Sequence, residues 1–79
     1  MDAKKGDVKY YHESGDIWRV EVLEVQRKDY GKTPGEEYSL KLLEVLSTNA
    51  RNPPKAGIEF SVWKAENAGG YAGWFLLDR

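Results

Sequence analysis

The side chains that most often perform catalysis are scarce in this chain of 79 residues. His12 is the single histidine, it lies beside a predicted turn, and there is no cysteine to act as a nucleophile. Acyl transfer needs a hydroxyl or thiol next to a base, and no spacing in the sequence provides that pair. The adjacent carboxylates Glu36 and Glu37 could serve a glycosidase only in a cleft that raises one pKa, and a chain of this size offers no such cleft. We therefore expect no enzyme activity and no catalytic residues.

Phosphate and metal chemistry are also poorly supported. Gly31-Lys32-Thr33 has the ending of a phosphate-binding loop, but that loop needs a glycine five residues before the Gly-Lys pair, where this chain has Gln26. One histidine without cysteine cannot build a zinc site, and the acidic residues from Asp29 to Glu37 lack the ligand spacing of a calcium loop. We expect neither a cofactor nor a metal ion.

Aromatic residues carry the stronger signal, since they make up 13% of the chain. Trp and Tyr provide large, rigid contact areas with a polar group, which suits them to binding surfaces. We expect a non-catalytic binding module that recognises a protein or peptide through exposed aromatic side chains. The predicted contact residues are Tyr11, Tyr30, Trp63, Tyr71 and Trp74. The sequence leaves open the alternative that the tryptophans belong to the core or cap its rim.

A second binding hypothesis concerns the basic residues around Tyr30. Arg27, Lys28 and Lys32 flank this tyrosine, and an aromatic ring among cations can stack on a nucleobase while the cations meet phosphates. The formal net charge of -1, from twelve basic and thirteen acidic residues, weakens this hypothesis. Single-stranded nucleic acid is therefore the alternative ligand, and a homo-oligomer formed through a strand edge is a third possibility.

The elements that must position these residues are predicted to be strands. Val8 to Tyr11 is β-prone and ends at the turn Glu13-Ser14-Gly15-Asp16, after which Ile17 to Arg27 alternates between apolar and polar residues. The segment Val20 to Val25, VEVLEV, returns at residues 40–45 as LKLLEV. Both copies break the alternation at their fourth residue, Leu23 and Leu43, which predicts a β-bulge or a sharp coil in each strand at the same level.

The second copy also permits a helix. Thr33-Pro34-Gly35-Glu36 imitates a capping box with proline at the first helical position. The fold prediction is therefore all-β, a small five-stranded and strongly bent barrel, with an α+β fold of two hairpins and one helix at about residues 34–48 as the alternative. The segments 58–62 and 71–77 are predicted to pair as a terminal hairpin across the turn at Glu66 to Gly70.

Five strands, with Gly6-Asp7-Val8 opening the first and Trp18 near the start of the second, resemble the small barrels of Src-homology or Tudor type. The stretch from GDVKYY to VEVLEV carries the resemblance. It implies binding through aromatic residues on one rim, without catalysis. The long connection at residues 47–57 and the terminal hairpin depart from that pattern and leave an oligonucleotide-binding-type barrel open.

The remaining expectations concern organisation and location. Residues 1–79 are predicted to form one domain with a flexible lead-in at residues 1–6. Because no run of about 18 apolar residues is present and the start from Met1 to Asp7 is charged, we expect a soluble, cytoplasmic protein without a membrane partner. The identity of its protein or peptide partner is beyond the sequence.

Overall fold

The computed structural model describes residues 3–67 and 73–78, and these form a single antiparallel sheet of five strands. The strands are β1 Val8–Glu13, β2 Asp16–Arg27, β3 Gly35–Ser47, β4 Glu59–Ala65 and β5 Phe75–Leu77. The sheet is curled into a half-barrel, in the order β4-β3-β2-β1-β5. The all-β prediction is confirmed, and the alternative helix at residues 34–48 is wrong because this segment is β3.

The bulge predicted in the first apolar segment is present at Leu23. Val22 pairs with Leu40 and Glu24 pairs with Ser39, so Leu23 is an extra residue without a partner opposite it. A bulge reverses the parity of the residues that follow it. As a result, Val25, the next apolar residue of β2, lies on the concave face instead of facing outward.

The second predicted bulge lies at Leu43 in β3. Arg19 pairs with Glu44 and Val20 with Leu42, which leaves Leu43 as the extra residue. The two bulges do not lie at the same level, as the sequence had suggested, because three consecutive residue pairs separate them. Each bulge therefore bends the hairpin at a different point, and the long β2–β3 pair coils gradually instead of folding sharply at one level.

The concave face of the sheet holds the core. The buried apolar residues are Tyr11, Val20, Val22, Tyr38, Leu40, Leu42, Trp74 and Leu76. Half-buried Val25 and Val45, which follow the bulges, pack against this cluster together with Phe60 and Val62 of β4. Each bulge thus returns the apolar residues that follow it to the concave face, so that the apolar residues before and after it belong to one continuous core.

The first hairpin is set by a two-residue turn. Glu13 pairs with Asp16, and the two residues between them, Ser14 and Gly15, have φ angles of 45° and 90°. Positive φ at both central positions matches the twist of the flanking strands and is favourable at glycine. The predicted end of the first strand at this turn is confirmed.

The last strand pairs with β1 and not with β4. Leu77 lies opposite Tyr10 and Leu76 opposite Tyr11, so the predicted terminal hairpin is wrong in its pairing, while its residues 68–72 lie outside the described part of the chain. The physical reason is that β5 covers the second edge of β1 and brings Trp74 and Leu76 onto the core beside Tyr11. A local hairpin would have left that edge of the core open.

Residues 3–67 and 73–78 contain no helix with the length and apolar character needed to cross a bilayer.

Candidate partner-binding site

The connection between β2 and β3 is organised by its own hydrogen bonds. Tyr30 and Thr33 exchange backbone bonds, each N–H donating to the other residue's carbonyl oxygen at 2.9 Å. Lys28 N–H donates to Gly35 O at 2.9 Å, which closes the base of the connection. Gly31, with a φ angle of 59°, supplies the left-handed conformation at the tip. Tyr30 is therefore presented from a small hairpin that extends the β2–β3 pair.

Trp63 lies on the convex face of the sheet, against the backbone of Gly35. A Cβ atom on Gly35 would overlap the indole ring, so only glycine leaves room for Trp63 at this place. The Trp63 Nε1–H donates to Lys28 O at 2.7 Å. The ring is thus fixed by packing on one strand and by a hydrogen bond to the end of the neighbouring connection.

Tyr30 packs against Trp63 as an edge-to-face pair. Their ring centroids are 4.9 Å apart and the ring planes are perpendicular, an arrangement that aromatic quadrupoles favour. The Lys28 Nζ lies 5.5 Å from the Tyr30 ring centroid. Tyr30 is still 52% exposed, and Trp63 is half-buried. We call the group Lys28, Tyr30 and Trp63 the aromatic corner.

The cations around the aromatic corner are largely neutralised by carboxylates. Lys28 Nζ lies 3.4 Å from Glu37 Oε2, and the hydrogen bond and charge of Glu37 raise the pKa of Lys28. Arg27 Nη1 lies 3.2 Å from Glu66 Oε2, and its Nε lies 3.5 Å from Asp29 Oδ1. These exposed pairs are individually weak, but they lower the positive potential that a polyanion would meet.

Lys32 is the fourth residue of the predicted nucleic-acid set. It occupies the exposed tip of the hairpin between Gly31 and Thr33. The structure therefore brings Arg27, Lys28 and Tyr30 to one corner, with Lys32 beside them at the tip.

Two of the predicted partner-binding aromatics are core residues. Tyr11 and Trp74 are each only 4% exposed, so the prediction that they form an exposed contact surface is wrong. Their rings stack at a centroid distance of 6.0 Å, and the Tyr11 hydroxyl donates to Glu13 Oε1 at 2.7 Å. Burial, and then this hydrogen bond, raise the pKa of the Tyr11 phenol well above its usual range. The alternative interpretation, that tryptophan serves the core, holds for Trp74.

Trp74 also links the two edges of the half-barrel. Its Nε1–H donates to the carbonyl oxygen of Trp63 at 3.1 Å, which ties the start of β5 to β4. Trp63 is thus connected both to the core, through its backbone, and to the aromatic corner, through its ring. Tyr71, the remaining predicted contact residue, lies outside the described residues.

The sequence reasoning missed the role of Gly35 and several exposed apolar side chains. Gly35 follows Pro34 and reads as a loop residue, yet it begins β3 and receives Trp63. Strand parity does predict that Phe75 and Leu77 face away from Trp74, and both are exposed on the convex face. Without the pairing of β5, the location of these two residues on the sheet could not be assigned.

Across residues 3–67 and 73–78 the structure contains no enclosed pocket and no group of three potential metal-ligating side chains. The aromatic corner lies on the surface, where Tyr30 remains 52% exposed. No protein-family model, curated protein or solved structure matches this chain.

Proposed function

We propose that the protein is a small barrel of Src-homology or Tudor type that binds a protein or peptide partner without catalysis. The strand order supports this assignment. Four consecutive strands form a meander and the last strand returns to pair with the first, which is similar to the order in Src-homology-type barrels. Because β5 pairs with β1, the terminal hairpin is absent, and it was one of the two departures that left the oligonucleotide-binding-type barrel open.

The observation that carries the binding proposal is the exposed Tyr30 ring held against Trp63. Most exposed aromatic side chains lose rotamer freedom when a partner binds, which opposes binding. Tyr30 has already lost much of that freedom, because its backbone is fixed by the bonds to Thr33 and its ring by the contact with Trp63. A rigid aromatic pair of this kind provides contact area at a low entropic cost.

The charges around the corner indicate a peptide ligand that is not a polyanion. Because Lys28 and Arg27 are both engaged by carboxylates, a partner gains little from bringing many negative charges. The corner instead offers the Tyr30 ring and hydroxyl together with the exposed part of the Trp63 ring. Binding should then rest on apolar and hydrogen-bond contacts and depend weakly on salt.

The test uses a random peptide library displayed on phage and selected on the immobilised protein. Selected peptides are synthesised with a fluorescent label, and their affinity is measured by polarisation against wild-type, Tyr30→Ala and Phe75→Ala proteins. Phe75 is the matched control, because it is also an exposed aromatic residue but lies on β5. We expect Tyr30→Ala to weaken binding by about tenfold or more and Phe75→Ala to have no effect. Selection of no peptide, or equal affinity for Tyr30→Ala, would contradict the proposal.

A second candidate, binding of single-stranded nucleic acid, is favoured by the position of Lys28 against Tyr30 and by exposed Lys32. A labelled oligothymidine serves as the probe. Nucleic-acid binding would weaken steeply between low and physiological salt, and Lys32→Ala would reduce the salt slope. Binding without salt dependence, or no binding, would remove this candidate.

A further inference from the structure

The long free edge of the sheet is that of β4. Within the described residues β4 pairs with β3 alone, and it contains no proline, no bulge and no charged side chain on its concave face before Lys64. Natural sheets usually protect such an edge with those features, because an unprotected edge pairs with other strands. The edge of β5 differs, since it is only three residues long.

The direction of the free backbone groups on β4 follows from two hydrogen bonds. Ile58 O accepts from Leu42 N–H of β3, whereas Trp63 O accepts from the Trp74 indole on the other side. Alternate residues of an antiparallel strand direct their N–H and C=O groups to opposite sides, and the β3–β4 register has no shift. Glu59 and Ser61 therefore direct both backbone groups away from the sheet.

The side chains along this edge match themselves when a second copy is placed antiparallel. Ile58, Phe60 and Val62 alternate on the concave side, and Ile58 is 41% exposed although it follows the apolar pattern of the core. A two-fold axis beside Phe60 places Phe60 opposite its own copy and Ile58 opposite Val62 of the second copy. Apolar and aromatic pairs directly opposite each other are the favourable unit of sheet pairing.

The antiparallel pairing around this axis also gives the free backbone groups hydrogen-bond partners and keeps like charges apart. Glu59 of each copy then lies opposite Ser61 of the other, and each of these two residue pairs can exchange two backbone hydrogen bonds. The Glu59 carboxylate meets the Ser61 hydroxyl, and Lys41 lies opposite Glu59 on its other side within the same chain. No like charges oppose each other, and the net charge of -1 gives little repulsion between copies.

We propose that β4 is a self-association edge, at which two copies of this chain pair antiparallel around Phe60 to form one continuous sheet. This inference goes beyond the proposed peptide binding, because it uses the concave side and backbone of β4 and not the aromatic corner. The contact is short, so the dimer should form at high protein concentration and exchange readily. Trapping by disulfide formation suits such an interface.

The absence of cysteine makes a register-specific trap possible. Glu59→Cys and Ser61→Cys variants are prepared separately, mixed in equal amounts and oxidised. In the proposed register these two positions lie directly opposite each other, at about 5.5 Å between Cα atoms, within disulfide range. Two copies of the same variant place their cysteines on a diagonal, at about 7–8 Å, which is too far. The heterodisulfide should exceed each homodisulfide by at least about fivefold.

The control replaces Ser61→Cys by Ser39→Cys. Ser39 is the β3 residue paired with Ser61, so it occupies the same face of the sheet but not the edge, and its mixture with Glu59→Cys should give no heterodisulfide excess. Adding Ile58→Asp to the Glu59→Cys and Ser61→Cys pair should abolish the excess, with circular dichroism confirming the fold. A statistical mixture of disulfides, a dominant Ser61→Cys homodisulfide or insensitivity to Ile58→Asp would overturn the proposal.

Discussion

Replacing Gly35 by alanine tests whether the aromatic corner is built on this glycine. The new methyl group would overlap the Trp63 indole, which must then move away from β3. The move breaks the bond from Trp63 Nε1 to Lys28 O, for about 0.5–1.5 kcal/mol, and weakens the edge-to-face contact with Tyr30, for about 0.5–1.5 kcal/mol. Alanine in a strand regains roughly 0.5–1 kcal/mol relative to glycine. The expected net loss in the free energy of unfolding is therefore about 1 kcal/mol.

A double-mutant cycle separates this clash from other effects of the substitution. Urea unfolding is followed by far-ultraviolet circular dichroism for wild-type, Gly35→Ala, Trp63→Ala and the double variant. Once the indole is absent, the three atoms nearest to the new methyl group are gone, and Gly35→Ala should become neutral or stabilising. If Gly35→Ala destabilises equally with and without Trp63, or stabilises the wild-type protein, then the packing of Trp63 on Gly35 is not what fixes the corner.

Two further predictions concern the core. Trp74→Phe should lower the free energy of unfolding by about 1 kcal/mol more than Trp18→Phe, because Trp74 loses its bond to Trp63 O whereas Trp18 Nε1 has no acceptor within residues 3–67 and 73–78. Equal losses of unfolding free energy in urea would show that the hydrogen bond from Trp74 to Trp63 O, which links β5 to β4, adds no stability. Because folding raises the pKa of Tyr11, the protonated phenol contributes stability that is fully present below the unfolded pKa of about 10 and is lost as pH rises above it. The free energy of unfolding should therefore fall in alkali, and Tyr11→Phe should flatten this decline. An unchanged slope in Tyr11→Phe would show that Tyr11 and its bond to Glu13 do not control it.

Much of the central hairpin could be predicted from the sequence, because its signal is local. The breaks at Leu23 and Leu43 are changes of parity within one strand, and parity alone specifies a bulge when one face must remain apolar. The level of the two bulges could not be predicted in the same way. It depends on the register between β2 and β3, which the length of the connection between them sets.

The location of the last strand and of the aromatic residues required the tertiary structure. The parity of Trp74 and Leu76 shows that their side chains share a face. It does not specify whether the strand that carries them pairs with β4 or with β1. The contact between Tyr30 and Trp63 joins residues far apart in sequence and depends on the absence of a side chain at Gly35. Such a contact leaves no periodic signal.

The proposed binding of a partner at the aromatic corner is tested most directly by nuclear magnetic resonance. A library-selected peptide is titrated into isotopically labelled protein while the backbone amides and the three tryptophan indole signals are followed. We predict that the Trp63 indole signal and the Tyr30 and Gly31 amides shift in proportion to binding, while the buried Trp74 indole and the Phe75 amide stay in place. Shifts confined to β5, or binding that leaves Tyr30 and Trp63 unmoved, would contradict the claim.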